Sequence, residues 1–526
     1  MIRIRGICGE FPRKRHGTLV TARPGLHNVC MAEQGTTNNG VFRISGVSQS
    51  VRVYLPATAL YRGLSFVRGL VLAWLLAKQT GQYGLLSVAL QAINILAPLV
   101  SLGLTEAVTR YVPTYQSRRS LLSFLGLACA LPVGVSLVAS LLLIAFSRPL
   151  GQAIFVGKDL SAAVVMPLAH VTFVAIFVII TYFLIASILK GLRMFPALAY
   201  MELFHGVLYF LLTILALVYI GPKAQYVMWA YVAALLIPAI IWGLVLSKRL
   251  PEKEQESETV PWGPLSKQLI TFGFWASIAG IIWQAWQTYS LWHLTKFGSG
   301  LYSDTFAASR LIGQLILVFG VALSAVAMTS VCTMWEKGDR PQADSQLDFY
   351  SKLVLLALLM AAIVLVSLRS PLAVIFPKQL GQVIEIFPQT FLFFQCLTVL
   401  SFLSIQFVLI EKMHLMLWSW LTGLGANILL GVFLIKSSHA LVGAADAAVL
   451  SAIPAILITL TFIRLQKRPI SRGLIVVIVS SAILLLPGWL AVVAGLVLLT
   501  WALATNHIFS DRQRALMIDL FFSGRM

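Results

Sequence analysis

Two arginines six residues apart, Arg62 and Arg68, stand inside the first apolar run that can cross a bilayer, a run that continues to Ala77. A charged side chain near the bilayer centre costs about 2.5–3.5 kcal/mol on insertion scales, so each needs a polar cavity, a partner or a nearby aqueous edge. Six residues of helix rotate by about 600° and rise by ~9 Å, which leaves the two side chains about 120° apart at different depths. Arg62 lies near enough to the inner end of the run to snorkel toward water. Arg68 is deeper. A water-filled cavity that accepts anions is the simplest environment for it, and a guanidinium there grips phosphate through paired donors.

Other polar groups in the apolar runs carry weaker signals. Arg310, in the eighth run, is either an interfacial anchor or a second contact for an anionic group. Glu106, at the inner end of the second run, matches Arg62 in depth; it is a candidate ion-pair partner or a solvated helix end. Glu202 and His205 share a helical face three residues apart and form a candidate proton-sensing pair, because a histidine beside a carboxylate titrates near neutral pH. A structural polar contact is the plainer reading of that pair, and of His170. In the seventh run, Trp283, Trp286, Gln287 and Ser290 fall on one face at i, i+3, i+4 and i+7. Aromatic rings beside amides suit sugar faces and hydroxyls, so Trp283 and Gln287 are candidate cavity contacts. Trp292 and His293 are assigned to the outer aromatic belt.

These groups are positioned by helices in lipid. The chain has 526 residues, 59% hydrophobic and 11% charged, with a mean hydropathy of +0.88. That composition predicts an all-α polytopic membrane protein. About fourteen spans are expected between residues 57 and 505, the second at 85–107 and the last two, 472–486 and 488–505, parted only by Pro487-Gly488. The net charge of +20 invites a nucleic-acid reading. Position excludes it, since the Lys and Arg cluster in short segments facing one side, which places both termini in the cytoplasm. The five cysteines form no C-x-x-C pair, so neither a disulfide framework nor a zinc site is expected. No Gly-x-x-x-x-Gly-Lys loop, metal-ligand cluster or large outer loop appears. No cofactor, no metal and no catalytic activity are therefore expected.

Residues 1–54 read as a basic, disordered cytoplasmic tail, in which Met31 opens a second plausible start. The longest polar connection, 248–267, carries Glu252, Glu254, Glu256 and Glu258. It divides two six-helix halves, 55–247 and 268–465, which would enclose a central cavity. Residues 466–526 add a helix pair and a cytoplasmic tail.

Several stretches carry a family resemblance. Gly81-Gln82-Tyr83-Gly84 follows the first span, and Leu102-Gly103-Leu104 through Arg110-Tyr111 closes the second. Lys190-Gly191-Leu192-Arg193, Gly338-Asp339, and Asn427 followed by Gly443-Ala444-Ala445 agree, although Asp446 stands where a small residue is usual. Together they resemble polysaccharide and lipid-linked oligosaccharide flippases of the multidrug/oligosaccharidyl-lipid/polysaccharide exporter superfamily, over roughly residues 55–465. Arg62-x-Leu64-x-Phe66-x-Arg68 is similar to the first helix of lipid II flippases, where such arginines meet the pyrophosphate of the substrate. The resemblance implies a flippase in the cytoplasmic membrane for a polyprenyl-(pyro)phosphate-linked oligosaccharide. Its partners would be membrane lipids and polysaccharide assembly proteins. A multidrug antiporter of the same superfamily and a membrane glycan polymerase or ligase are the rivals. The seventh helix lacks the acidic residue many relatives carry, which leaves no evident site there for a coupling ion.

Overall fold

The computed structural model describes residues 47–76, 78–117, 120–155, 162–192, 194–249, 261–336, 338–410, 412–435 and 439–522. Met31 and the acid run from Glu252 to Glu258 lie outside them. In chain order the helices are α1 (Val47–Leu76), α2 (Gln82–Ser101), α3 (Leu104–Ser117), α4 (Leu121–Ala145), α5 (Ser147–Phe155), α6 (Ala162–Gly191), α7 (Phe195–Tyr219) and α8 (Ala224–Arg249). There follow α9 (Trp262–Phe297), α10 (Gly300–Glu336), α11 (Arg340–Ser367), α12 (Arg369–Ala373), α13 (Phe387–Leu409), α14 (Met413–Leu434) and α15 (Ala440–Leu465). The chain closes with α16 (Arg472–Ser480), α17 (Gly488–Ala504) and α18 (Asp511–Phe522). No strand occurs among the described residues.

Eleven of the described helical stretches are long and apolar enough to cross a membrane, and two shorter apolar helices, Arg472–Leu485 and Gly488–Ala504, follow. Their outward faces stay apolar, with Leu141, Trp229, Phe433 and Trp489 all exposed. Water would not tolerate that surface, whereas lipid does. The protein is an all-α, multi-pass membrane protein.

Helices α1 to α8 pack chiefly on one another, through α1 on α7, α6 on α8 and α7 on α8. Helices α9 to α15 form a second set, through α14 on α15 and α10 on α13. The two sets meet where α2 crosses α9 and α10, and where α1 touches α10. Helices α16 and α17 lie against α11, and Asp348 of α11 ties the start of α16 and α18 to it. It pairs with the buried Lys352 at 2.6 Å and accepts from Ser471 Oγ at 2.5 Å and Gln513 Nε2 at 3.3 Å. These donors satisfy the carboxylate lone pairs that the buried ion pair leaves over.

Three boundaries differ from the sequence expectation. Helix α1 begins at Val47, ahead of the boundary placed at 54, and α9 begins at Trp262, inside the segment read as linker. The second span, expected unbroken to 107, stops at Ser101, because Leu102 and Gly103 take φ of 49° and 62° before α3 begins. The cause is a backbone crossing: a Cβ on Gly103 would overlap the carbonyl oxygen of Gly273 in α9. Ser277 Oγ on α9 donates to the Pro98 carbonyl nearby at 3.1 Å. Gly103→Val adds a left-handed penalty of ~1–2 kcal/mol to that overlap. It is expected to lower both the thermal stability of the purified protein and its level in membranes; a variant as stable as the natural protein would contradict the crossing.

Candidate substrate cavity between the helical sets

The approach of α1 to its neighbours is set by two glycines. A Cβ on Gly206 of α7 would lie 2.6 Å from the Tyr61 ring, so α1 and α7 cross closely. A Cβ on Gly69 would overlap the Leu311 side chain of α10. Arg68 and Arg310, next in sequence to Gly69 and Leu311, are thereby brought to one space. It is a cavity of about 240 Å³ lined by Arg62, Arg68, Tyr83, Gln91, Tyr209, Arg310 and Gln314, with Ser65, Ser87 and apolar side chains completing the wall. No carboxylate is among its described lining residues.

The three arginines sit differently. Arg62 is exposed, with its guanidinium 5.6 Å from the Tyr61 ring centre. Arg68 is half-buried, stacks 4.0 Å over the Tyr209 ring, and its Nη1 is buried without a hydrogen-bond partner. Arg310 is 4% exposed; its Nε, Nη1 and Nη2 are all buried and unpartnered, and its guanidinium lies 5.8 Å from the Phe394 ring. Buried unpaired guanidinium groups are costly, and an anion satisfies them best. Arg310 is therefore a cavity residue in this structure, not an interfacial anchor.

The other sequence candidates scatter. Gln287 lies in a second, much smaller cavity of about 10 Å³ behind Arg310, together with Ser290 and Thr390. Trp283 is absent from the lining of both; it packs 4.7 Å from Trp420 and 6.2 Å from Trp286. Trp286 is fully buried, donating to Ser451 Oγ at 2.8 Å, while Asn427 accepts from Ser290 Oγ at 3.0 Å. Trp286 on that face of α9 is thus core of the second helix set, while Gln287 and Ser290 reach the small cavity beside Arg310. His205 is buried among Tyr61, Tyr182, Tyr209 and Tyr231, with Glu202 one turn earlier and half-buried. The Glu106 side chain lies outside the described residues. His170 is exposed and shares a 2.9 Å hydrogen bond with Ser147 Oγ.

One residue escaped the sequence reading: Asp304, 1% exposed in α10. Its carboxylate accepts from the backbone N–H of Gly81 at 2.7 Å and of Gly84 at 2.5 Å. Gly81 precedes α2 with φ of 85° and has no side chain to cap it, so the cap comes from the other helix set. A carboxylate also suits the positive end of α2. A Cβ on Gly84 would overlap Ser303, which explains the second glycine of the turn. Nearby, Lys296 Nζ donates to the Ala153 carbonyl at 2.9 Å and Trp292 Nε1 to the Ile154 carbonyl at 3.1 Å, both at the negative end of α5. Trp292 is thus held by this cross-set contact. At the same end of the molecule, Trp74 Nε1 donates to the Ile375 carbonyl. The signal for Asp304 was a lone acid at the mouth of an apolar run.

Solved structures share this fold. The chain is similar to the lipid II flippase MurJ in an inward closed conformation, at 14% identity and a TM-score of 0.63 over 85% of this chain and 98% of that one. It is similar to an inward-facing multidrug resistance MATE family transporter of the MOP superfamily, at 13% identity and a TM-score of 0.61 over 77% and 94%. A MOP superfamily transporter from Pyrococcus furiosus Vc1, described by a reversed polarity of its binding pocket, aligns at 13% identity and a TM-score of 0.57 over 82% and 100%. At such identities the likeness is one of fold. Among curated proteins no significant match is found. The family model for polysaccharide biosynthesis proteins matches residues 47–335, from the start of α1 almost to the end of α10. Because that match spans more than half of the chain and holds all three cavity arginines, the protein belongs to the polysaccharide biosynthesis protein family, with the fold of MOP-superfamily transporters.

Proposed function

We propose that this protein is a flippase that moves a polyprenyl-(pyro)phosphate-linked oligosaccharide from the cytoplasmic to the outer leaflet of the cytoplasmic membrane, for polysaccharide assembly. The observation that carries the reading is the convergence of Arg62, Arg68 and Arg310 on one cavity with no acid in its described lining. An anionic, hydrated head group needs such a path, while its lipid tail remains in hydrocarbon. Family membership and the likeness to a lipid II flippase support it. The Lys and Arg bias of the sequence supports α1–α2 and α9–α10 turns on the outside and both termini in the cytoplasm. The Asp304, Lys296 and Trp74 contacts then close the outer end. At about 240 Å³ the cavity falls below the ~300–1,000 Å³ of usual ligand pockets, so a lipid-linked glycan enters only when the two sets part. Membrane lipids and polysaccharide assembly proteins are its natural partners.

The rival within the fold is a multidrug antiporter. Cationic drugs call for carboxylates, and three arginines repel them. In cells depleted of this protein, a membrane-impermeant glycan label is expected to lose most of its signal from the lipid-linked oligosaccharide, and re-expression restores it. Undiminished labelling would sink the flippase reading; sensitisation to cationic drugs in the same cells would favour the antiporter.

A further inference from the structure

Each cavity arginine is backed by an aromatic ring, and the tightest of these contacts is Arg68 over Tyr209 at 4.0 Å. Among the described residues Arg68 makes no ion pair. Its charge is held without being cancelled. A carboxylate in the place of Tyr209 would fix the guanidinium equally well but would occupy its donors and neutralise it. A ring face attracts the cation by about 0.5–2 kcal/mol and leaves the edge donors free.

The ring itself cannot drift. Tyr209 is 1% exposed. Tyr231 from α8 sits 5.0 Å from it and His205, one turn earlier on α7, 6.1 Å from it. His205 is in turn flanked by Tyr182 from α6 at 5.3 Å and Tyr61 from α1 at 6.1 Å. Rings from four helices therefore brace one platform, and the close crossing at Gly206 sets α1 at the height that lays Arg68 on it. The Tyr209 hydroxyl is buried and has no partner, so the face of the ring is what serves the cavity.

We propose that Tyr209 is a positioning residue for the anionic group bound in this cavity: its ring face fixes the Arg68 guanidinium with its edge N–H donors free and without neutralising its charge. The inference rests on the anion-binding reading above and goes beyond it, by assigning Arg68's orientation to a residue that need not touch the ligand.

The test uses the full-length protein in lipid nanodiscs, with inorganic pyrophosphate as the probe. Arg68→Ala is expected to weaken binding at least tenfold. Tyr209→Met, which fills the space but lacks a ring face, is expected to weaken it about 3- to 10-fold, and Tyr209→Phe recovers most of that loss. In the Arg68→Ala background, Tyr209→Met is expected to have no further effect, because its action passes through Arg68. A merely structural tyrosine would instead lower binding by the same factor in both backgrounds. If Tyr209→Met fails to accumulate, Tyr209→Leu is read in the same cycle. Natural affinity in the non-aromatic variant, or additivity with Arg68→Ala, overturns the platform while leaving the anion cavity standing. Undiminished binding by Arg68→Ala overturns Arg68 as an anion contact, and the platform with it; undiminished binding by Arg68→Ala combined with Arg310→Ala overturns the anion cavity.

Discussion

Arg68→Ala is expected to abolish the appearance of lipid-linked glycan on the outer leaflet, at an unchanged level of the protein in the membrane. Arg68 faces the cavity from α1, is half-buried, and has a buried Nη1 with no partner. Its removal therefore costs the fold little and the ligand much. Hydrogen bonds to charged groups contribute ~1.5–3 kcal/mol each, so losing even one slows transport by about 10- to 100-fold. Arg68→Lys keeps the charge and loses the planar paired donors, and it is expected to fall between the natural protein and alanine. Arg62→Ala should be milder, since Arg62 is exposed and near enough to the inner end of its apolar run to snorkel toward water. The measurement is outer-leaflet labelling normalised to membrane protein. Full transport by Arg68→Ala would remove the main physical reason to prefer a flippase over a drug exporter.

Asp304→Ala is expected to open the end of the molecule that carries the α1–α2 turn. The carboxylate joins the two helix sets by accepting two backbone N–H groups at the start of α2, at 2.7 and 2.5 Å. Without it those donors are buried and uncapped, because Gly81 offers no side chain. At ~1.5–3 kcal/mol for a charged hydrogen bond, the closed-to-open equilibrium at this end shifts by about 10- to 100-fold. Asp304→Asn retains an acceptor and loses the charge, so its shift is smaller. Spin labels at Gln79 and Leu301, both exposed, read the change as a second, longer-distance population, with slowed transport alongside it. A distance distribution unaltered by Asp304→Ala would refute the clasp and leave the arginine cavity untouched.

The same residues mark how far the sequence reaches. Helix after helix was legible because each apolar run must satisfy its own backbone in lipid, so length and hydropathy alone specify a span. Arg62, Arg68 and Arg310 were legible as exceptions, because a charge in hydrocarbon demands an explanation whatever surrounds it. The face bearing Trp283 and Gln287 was legible only in part, since Gln287 lines the small cavity with Arg310 and Trp283 lines neither: helical spacing says which residues share a face, not whether the face meets a cavity or the core behind it. Only the packing of α9 against α14 and α15 turned Trp286 inward and put Gln287 behind Arg310. Nor could the run through Leu102 and Gly103 announce its break, which depends on the Gly273 backbone passing 170 residues later in the chain.

Asp304 is the sharpest case. In one dimension it is an acid at the edge of an apolar run; in three it is the cap that Gly81, more than two hundred residues away, cannot supply for itself. The sequence by itself determined the class of the protein, its membrane setting and the presence of intramembrane charge, since those follow from solvation costs paid residue by residue. Tertiary structure decided which charges share a space and which close the molecule. Electrostatic and hydrogen-bond energies depend on distances between segments far apart in the chain, and hydropathy and spacing carry no record of those distances.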